Sequence, residues 1–193
     1  MKTLKFVGML LIAAFVSASA SAQKNVVNTL KSNIVWTGNK IGGSHTGSIK
    51  IKEGYFEVKK GVIVSGKVVI DMNSMTNTDL KDEGYNQKLI GHLKSDDFFG
   101  VEKYPTASFT ISKPSKLKNG KAVLTGALSI KGKTEPITFD LVQKGAVYTT
   151  QLKVDRSKYD VRYGSKSFFD NIGDKAIDDI FILDIQMYCN KSI

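Results

Sequence analysis

The two histidines, His45 and His92, are the first residues whose side chains could do chemistry, and the sequence has no others. Asp96 and Asp97 follow His92 closely, and imidazole with carboxylate is a common ligand set for a divalent metal. The histidines are far apart in the sequence, however, and no short ligand spacing links them. We therefore expect no metal site, and we favour a hydrogen-bonding or strand-capping role for both histidines.

Charged residues near predicted strand ends offer the groups of an acid–base pair, with Asp155 beside Arg156 and with Asp71 and Glu135 elsewhere. Catalysis needs such groups, but ion pairs at exposed strand ends are the commoner explanation. No Gly-x-Ser-x-Gly turn marks a nucleophile. The sequence also lacks a glycine-rich phosphate loop and a cluster of cysteine and histidine. We expect a protein that is not an enzyme and that requires no cofactor.

The first residues have the three-part pattern of a secretory signal peptide. Lys2 and Lys5 precede an apolar run over 6–16, which is too short to span a membrane, and Ala20-Ser21-Ala22 gives the small-x-small cleavage pattern. Cleavage after Ala22 would leave residues 23–193, which we expect to form a single domain located in the periplasm or secreted.

The chain is basic, and its formal charge of +10 falls to +8 because two lysines belong to the signal peptide. The lysines are scattered along alternating stretches, which favours a role in solubility. Attraction to an anionic membrane surface or a phosphate head group is the functional alternative. We expect no nucleic-acid partner, because the chain has no dense cluster of arginine and aromatic residues. Cys189 is the only cysteine, so an internal disulfide is excluded.

Apolar and polar residues alternate with a period of two through most of the chain, which indicates strands with one buried face. The alternation predicts strands at 34–37, 46–52, 55–59, 62–71, 106–112, 121–131, 137–141, 148–154 and 181–187. Turn signals between them indicate antiparallel hairpins. About eight such strands form either a sandwich or a closed barrel. Glycines in strands, such as Gly66 and Gly126, favour the barrel because they allow sharp bending.

One interior segment, 82–94, predicts a helix that crosses between strands, because Tyr85, Leu89 and Leu93 share one helical face. A shorter helical turn is expected at 165–171, before the last strand. The helix runs into a phenylalanine-rich segment, 92–109. Such segments usually close over apolar contents, which here are either a packed core or a ligand cavity.

In this segment the chain resembles the YceI-like family of lipid- or polyisoprenoid-binding, lipocalin-like proteins of the bacterial envelope. The resemblance covers essentially all of 23–193. The matching residues are Trp36, Gly43-Ser-His-Thr-Gly47, Ile70-Asp-Met-Asn-Ser-Met-Thr76, His92-Leu-Lys-Ser-Asp-Asp-Phe-Phe99, Lys103-Tyr-Pro-Thr-Ala-Ser-Phe109, the run from Leu124 to Phe139, and Val154-Asp-Arg-Ser-Lys-Tyr159.

The resemblance implies an all-β fold, an extended eight-stranded antiparallel barrel with an elongated apolar tunnel that accepts a polyisoprenoid chain or a similar lipid. Asp160 departs from the pattern, because glycine is expected there. This departure leaves the geometry of that turn open.

The predicted ligand-binding residues lie either at the inward-facing positions of the strands or in the helix and the phenylalanine-rich segment. For each of them, packing in the core is the alternative role. They are Trp36, Ile49, Val68, Ile70, Leu89, Leu93, Phe98, Phe99, Phe109, Ile111, Leu128, Ile130, Phe139 and Leu183. His45, His92 and Arg156 are the predicted contacts for a lipid head group.

Three functions remain open at this point. The leading one is an exported binding protein that sequesters or carries a long apolar lipid, such as a polyisoprenoid or an isoprenoid quinone, by reversible burial. The second is an envelope enzyme that acts on an apolar substrate, with His45, His92 and Arg156 near the barrel mouth. The third is a stress-related interaction module with a filled core. A homodimer would form through faces or loops, because a closed barrel leaves few free edges.

Overall fold

The computed structural model of the protein describes residues 21–191. The predicted signal peptide therefore lies, apart from its last two residues, outside the described residues. Within this range the chain forms eight long strands, one two-residue strand and one α-helix. The strands are β1 (Gln23–Lys40), β2 (Gly43–Lys59), β3 (Val62–Asp71), β4 (Thr106–Ile111), β5 (Ser115–Lys116), β6 (Lys121–Ile130), β7 (Lys133–Lys144), β8 (Val147–Asp155) and β9 (Ile177–Lys191), and the helix is α1 (Glu83–Lys94).

The eight long strands form a closed antiparallel barrel. Their order is β2-β1-β9-β8-β7-β6-β4-β3, and pairing between β2 and β3 closes the sheet on itself. The short strand β5 pairs only with the first two residues of β3. Closure confirms the predicted eight-stranded barrel and excludes the sandwich, which the alternation alone had left open.

Strand β2 differs from its prediction, because the two expected strands at 46–52 and 55–59 are one continuous strand. Its register against β3 shifts between Ile51 and Glu53, which is the mark of a β-bulge. A bulge adds one residue to one strand and bends it, so it helps the sheet to curve around the barrel. The extra residue also interrupts the alternation, and this interruption explains why the sequence indicated a break.

Helix α1 confirms the predicted helix. Asp82 precedes it, and its carboxylate accepts a hydrogen bond from the backbone N–H of Tyr85 at 2.9 Å, as a good N-cap does. The helix ends at Lys94, and the N–H of the following residue, Ser95, bonds back to the carbonyls of Gly91 and His92. No helix of the described residues is long and apolar enough to cross a membrane.

The helical turn expected at 165–171 is a hydrogen-bonded turn, in which the N–H groups of Phe168 and Phe169 donate to the carbonyl of Ser165. A one-turn 3-10 helix follows at Gly173–Lys175, directly before β9. Further 3-10 helices occupy Met72–Ser74 and Arg156–Tyr159. A 3-10 helix therefore does precede the last strand, but it lies at 173–175 rather than in the predicted range of 165–171.

The segment 74–79 completes the barrel wall where β3 has ended. Along the free edge of β2, the N–H of Thr76 donates to the carbonyl of Ser48 at 2.9 Å and the N–H of Thr78 donates to that of Thr46 at 3.0 Å. Gly47 lies beneath this segment, and a Cβ there would overlap the carbonyl oxygen of Thr76. Glycine at 47 therefore permits the close approach that seals this seam.

One end of the barrel is packed solid. This filled end lies between the β2–β3 turn and the β7–β8 turn, and its central side chains are almost inaccessible, with exposed fractions of 1% for Phe56, 0% for Ile63, 0% for Leu141 and 2% for Tyr148. The rings of Phe56 and Tyr148 stack with their centroids 5.5 Å apart. These side chains close the barrel at this end.

Candidate functional site, an apolar cavity inside the barrel

The other half of the barrel, which we call the hollow end, encloses a cavity of about 350 Å³. Every long strand contributes inward-facing side chains to its lining, as the period-two alternation requires. One such residue from each strand in chain order is Ile34, Ile49, Val68, Ala107, Leu124, Phe139, Leu152 and Leu183, and α1 adds Leu89 and Leu93. The volume lies within the range of small-molecule sites in proteins, about 300–1,000 Å³.

The structure brings nearly all the predicted ligand-binding residues together around this cavity. They are Trp36, Ile49, Val68, Ile70, Leu89, Leu93, Phe98, Phe99, Phe109, Leu128, Ile130, Phe139 and Leu183. Their place in the lining follows from the geometry, whereas ligand binding by them remains a prediction.

Ile111 is the exception and lies outside the cavity lining. Its side chain fills the space beside Gly66, where an added Cβ would stand 2.9 Å from Cδ1 of Ile111. The alternation correctly predicts that Ile111 lies on the inward face of β4. Its position along the strand, however, places its side chain against Gly66 of β3. We therefore correct its assignment from ligand contact to core packing.

Met72 and Met75 also line the cavity, and the sequence interpretation missed them. Both are buried and belong to the segment that follows β3, where alternation has stopped. The available signal was the presence of two apolar residues in an otherwise polar run. Methionine is flexible and fills irregular gaps, so the pair adapts the wall beneath α1.

An aromatic cluster covers the cavity where α1 meets the following loop. The ring of His92 lies between those of Tyr163, at 4.3 Å between centroids, and Phe98, at 5.6 Å. Phe98 in turn contacts Phe99, whose ring meets that of Phe181 edge-on. His92 therefore stands among aromatic rings on the cavity wall.

His45 lies on the cavity wall near the β1–β2 turn and is held by a hydrogen bond. Its Nδ1 is 2.8 Å from Oδ2 of Asp79, and Oδ1 of Asp79 accepts the backbone N–H of Thr46 at 2.8 Å. Partial burial raises the pKa of Asp79, but hydrogen bonds from Thr46, His45 and Asn77 outweigh burial and lower the pKa below its ordinary value. This carboxylate fixes the orientation of the imidazole.

Arg156 borders the cavity but is only 2% exposed, so the expectation that it lies at an exposed strand end was wrong. Its N–H groups donate at 2.8 to 3.0 Å to four backbone carbonyl oxygens, those of Val161, Tyr163, Ile177 and Asp178. A further N–H faces Oδ1 of Asp179 at 3.4 Å. Arg156 therefore holds the loop 161–176 against β9, and its donors are occupied by protein groups rather than left for a lipid head group.

The turn at Asp160 has the left-handed conformation that favours glycine, with φ of 59°. Aspartate tolerates this conformation better than most residues. Its carboxylate also accepts a hydrogen bond from Nε of Arg162 at 2.6 Å. The turn thus keeps a glycine-like geometry with aspartate in place.

The candidate catalytic groups use separate partners. His45 is bound to Asp79, His92 is packed against Phe98 and Tyr163, and Arg156 is bonded to backbone carbonyls. Within residues 21–191 no group of three or more His, Cys, Asp or Glu side chains is arranged to hold a metal ion.

A closed antiparallel barrel that surrounds an apolar cavity, with an α-helix contributing to the cavity wall, defines the class of lipocalin-like barrels. Within that class, the model of the YceI-like domain matches residues 26–187, so this chain belongs to the YceI-like family. This match confirms the resemblance seen in the sequence.

The chain is 34% identical to a UPF0312 protein of Shewanella denitrificans over 86 residues, which are 45% of this chain and 42% of that protein. Among solved structures it resembles Burkholderia cenocepacia BcnA, with a TM-score of 0.65, 24% identity and coverage of 83% of this chain and 98% of BcnA. It also resembles a polyisoprenoid binding domain from Saccharophagus degradans, with a TM-score of 0.59, 15% identity and coverage of 87% and 98%. At these identities the structural likeness shows the shared fold.

Proposed function

We propose that this protein binds a long apolar lipid, an isoprenoid chain or an isoprenoid quinone, inside the barrel and acts as its carrier or reservoir outside the cytoplasm. The observation that carries the proposal is the cavity of about 350 Å³, whose wall is apolar on every strand. Reversible burial needs no covalent step, and we infer that the protein is not an enzyme.

The physical chemistry of the cavity favours an apolar occupant. Water in such a space would lack the two to four polar partners it needs. A hydrocarbon chain gains roughly 0.8 kcal/mol for each methylene group that leaves water, so ten groups supply about 8 kcal/mol before ordering costs. The apolar wall can therefore hold a lipid without specific polar contacts along the chain.

The distribution of polar groups gives the occupant a direction. Phe56, Leu141 and Met187 line the cavity towards the filled end, whereas Asn39, Lys40 and His45 border it at the β1–β2 turn. An apolar chain would extend along the barrel with its polar head at that turn. His45 is the better placed of the two histidines for a head group, because His92 packs among aromatic rings.

Two comparisons support an isoprenoid as the lipid class. The chain belongs to the YceI-like family, and one of its structural relatives is described as a polyisoprenoid binding domain. An apolar tunnel suits a chain that carries no polar group along its length.

The signal-peptide pattern supports a periplasmic or secreted location, and the basic charge supports transient contact with an anionic membrane surface. Peptide mapping of the exported protein would test the first by locating its N-terminus. Vesicle flotation with anionic lipids would test the second. A homodimer remains a prediction, which measurement of the molecular mass in solution would check.

Lipid uptake tests the central proposal. Trp36 is the only tryptophan and lines the cavity, so its fluorescence reports on the interior. Retinol, an isoprenoid alcohol whose polyene accepts excitation energy from tryptophan, should quench this fluorescence saturably. Organic extraction and mass spectrometry of the purified protein should recover a bound isoprenoid. A protein that yields no lipid and takes up no retinol would overturn the proposal.

A further inference from the structure

The barrel wall has a gap between β7 and β8. The ladder between these strands is limited to the three residue pairs next to their turn, ending with Val142 opposite Thr149. On the other side of β7, by contrast, the ladder with β6 runs from Val142 to Lys133. Of the residues described, 133–141 of β7 and 150–155 of β8 thus have no ladder partner in each other.

The sequence of β7 fits a strand whose edge towards β8 is free. Pro136 lies in the middle of the separated part. Proline has no backbone N–H to donate and is confined in sheets to free edges, strand starts and bulges. Because Pro136 cannot donate a backbone hydrogen bond, it is a local cause of the separation, whatever the register of β7 against β8.

The gap lies where the cavity and a groove on the outer surface share lining residues. Four residues of the cavity lining, namely Phe139, Thr150, Leu152 and Ile185, also line a groove on the outside of the barrel. On the side of the β7–β8 turn, the gap ends at a hydrogen bond of 2.6 Å from Oγ1 of Thr150 to the carbonyl of Asp140. At the opposite end, where β8 finishes, the gap is bounded by the 3-10 helix Arg156–Tyr159, which contacts β7. The wall is thus interrupted over a bounded length.

The chemistry of this gap differs from that of the other boundaries of the cavity. Stacked Phe56 and Tyr148 close the filled end, and the cluster around His92 covers the wall beneath α1. The border at the β1–β2 turn is polar. Ile137 and Phe139 lie in the separated part of β7 and line the outer groove together with polar side chains such as Thr138, so an apolar chain would meet apolar side chains at the gap.

We propose that the gap between β7 and β8 is a lateral opening through which an apolar chain passes between the cavity and the surroundings. The inference rests on the proposed function, since it supplies the path by which the lipid is loaded. A polar head can then stay at the β1–β2 turn while the chain enters sideways, and no part of the filled end has to open.

A removable bridge across the gap tests the opening. Thr138 on β7 and Lys153 on β8 are both exposed and flank it. The variant with Thr138→Cys and Lys153→Cys would be joined by a bis-maleimide reagent with a reducible spacer. Cys189 should not react, because burial raises the pKa of its thiol to about 12. The rate of retinol uptake, followed through Trp36, should fall at least tenfold on bridging and recover on reduction.

A matched bridge provides the control. Thr110 and Ala127 are directly paired on β4 and β6, so joining Thr110→Cys to Ala127→Cys ties strands that are already together. This bridge should leave the uptake rate unchanged. Uptake by the β7–β8 bridged protein at the unbridged rate would overturn the lateral opening alone. Absence of retinol uptake by the unmodified protein would instead overturn the proposed function, and the opening with it.

Discussion

The two ends of the barrel are built from the same alternating strands, yet one is solid and the other hollow. At the filled end, Phe56 and Tyr148 stack across the barrel, and Phe56 bounds the cavity on that side. At the hollow end, large rings such as Phe99 and Phe109 stay partly exposed to the cavity they line. The alternation of apolar and polar residues therefore produces an apolar interior. The sizes of the side chains that face one another decide whether a region of that interior is a packed core or a cavity.

The first test hollows the filled end. Phe56→Ala should lower the free energy of unfolding by about 4 kcal/mol, because it removes a fully buried ring and leaves a void that its neighbours cannot fill. Denaturant unfolding followed by circular dichroism measures the loss. A cost no larger than that of Phe99→Ala would mean that the two ends do not differ in packing.

The second test releases the loop that Arg156 holds beside the hollow end. Arg156→Met should cost about 3 kcal/mol, since four backbone carbonyl oxygens lose their donor and the Asp179 carboxylate loses its ion-pair partner. Hydrogen exchange should rise across 161–176 before it rises in the strands. Arg162→Met, at a largely exposed position of the same loop, is the control and should change stability little. Equal losses for both variants would contradict the anchoring role.

The third test removes a ring from the cavity wall. Phe99→Ala should cost only about 1 kcal/mol of stability, because the ring faces existing space, but it should weaken retention of the lipid several-fold. The retained lipid is measured by extraction and mass spectrometry. Phe168→Ala, at an exposed position outside the cavity lining, should alter neither property. Unchanged retention in a folded Phe99→Ala protein would contradict the assignment of Phe99 to the binding surface.

The smallest effect concerns pH at the polar border of the hollow end. The pKa of Asp79 is lower in the folded protein than its ordinary value of 3.8, so its contribution to stability is present above that value and is lost as pH falls through the folded pKa. The stability difference between the protein and Asp79→Asn should therefore shrink on acidification below about pH 4. Unfolding curves at several pH values would show this, and a difference independent of pH would contradict it.

The sequence predicted the elements whose patterns are local. Period-two alternation located the long strands, the apolar spacing of Tyr85, Leu89 and Leu93 located α1, and the inward face of the strands assigned most of the cavity wall. The bulge in β2 was hidden because an inserted residue breaks alternation in the same way as a turn does.

Features that depend on distant segments were not predicted. Arg156 is buried because carbonyls from 161–178 converge on it, and neighbouring residues in the sequence carry no sign of this. The alternation places Ile111 on the inward face of β4, but only the register of β3 against β4 shows that it lies beside Gly66. The gap between β7 and β8 likewise depends on register, although Pro136 was a local sign of a free edge.

The pairing of β1 with β9 has a consequence for how the protein folds. These strands come from opposite ends of the described chain, and they form a long ladder that runs from Asn25 opposite Lys191 to Lys40 opposite Ile177. Contacts so distant in sequence make folding slow, because the intervening loop has to close first. Until β9 arrives, β1 and β8 each present an open edge that invites pairing with other chains. Protection from aggregation is therefore needed most before the last strand is in place.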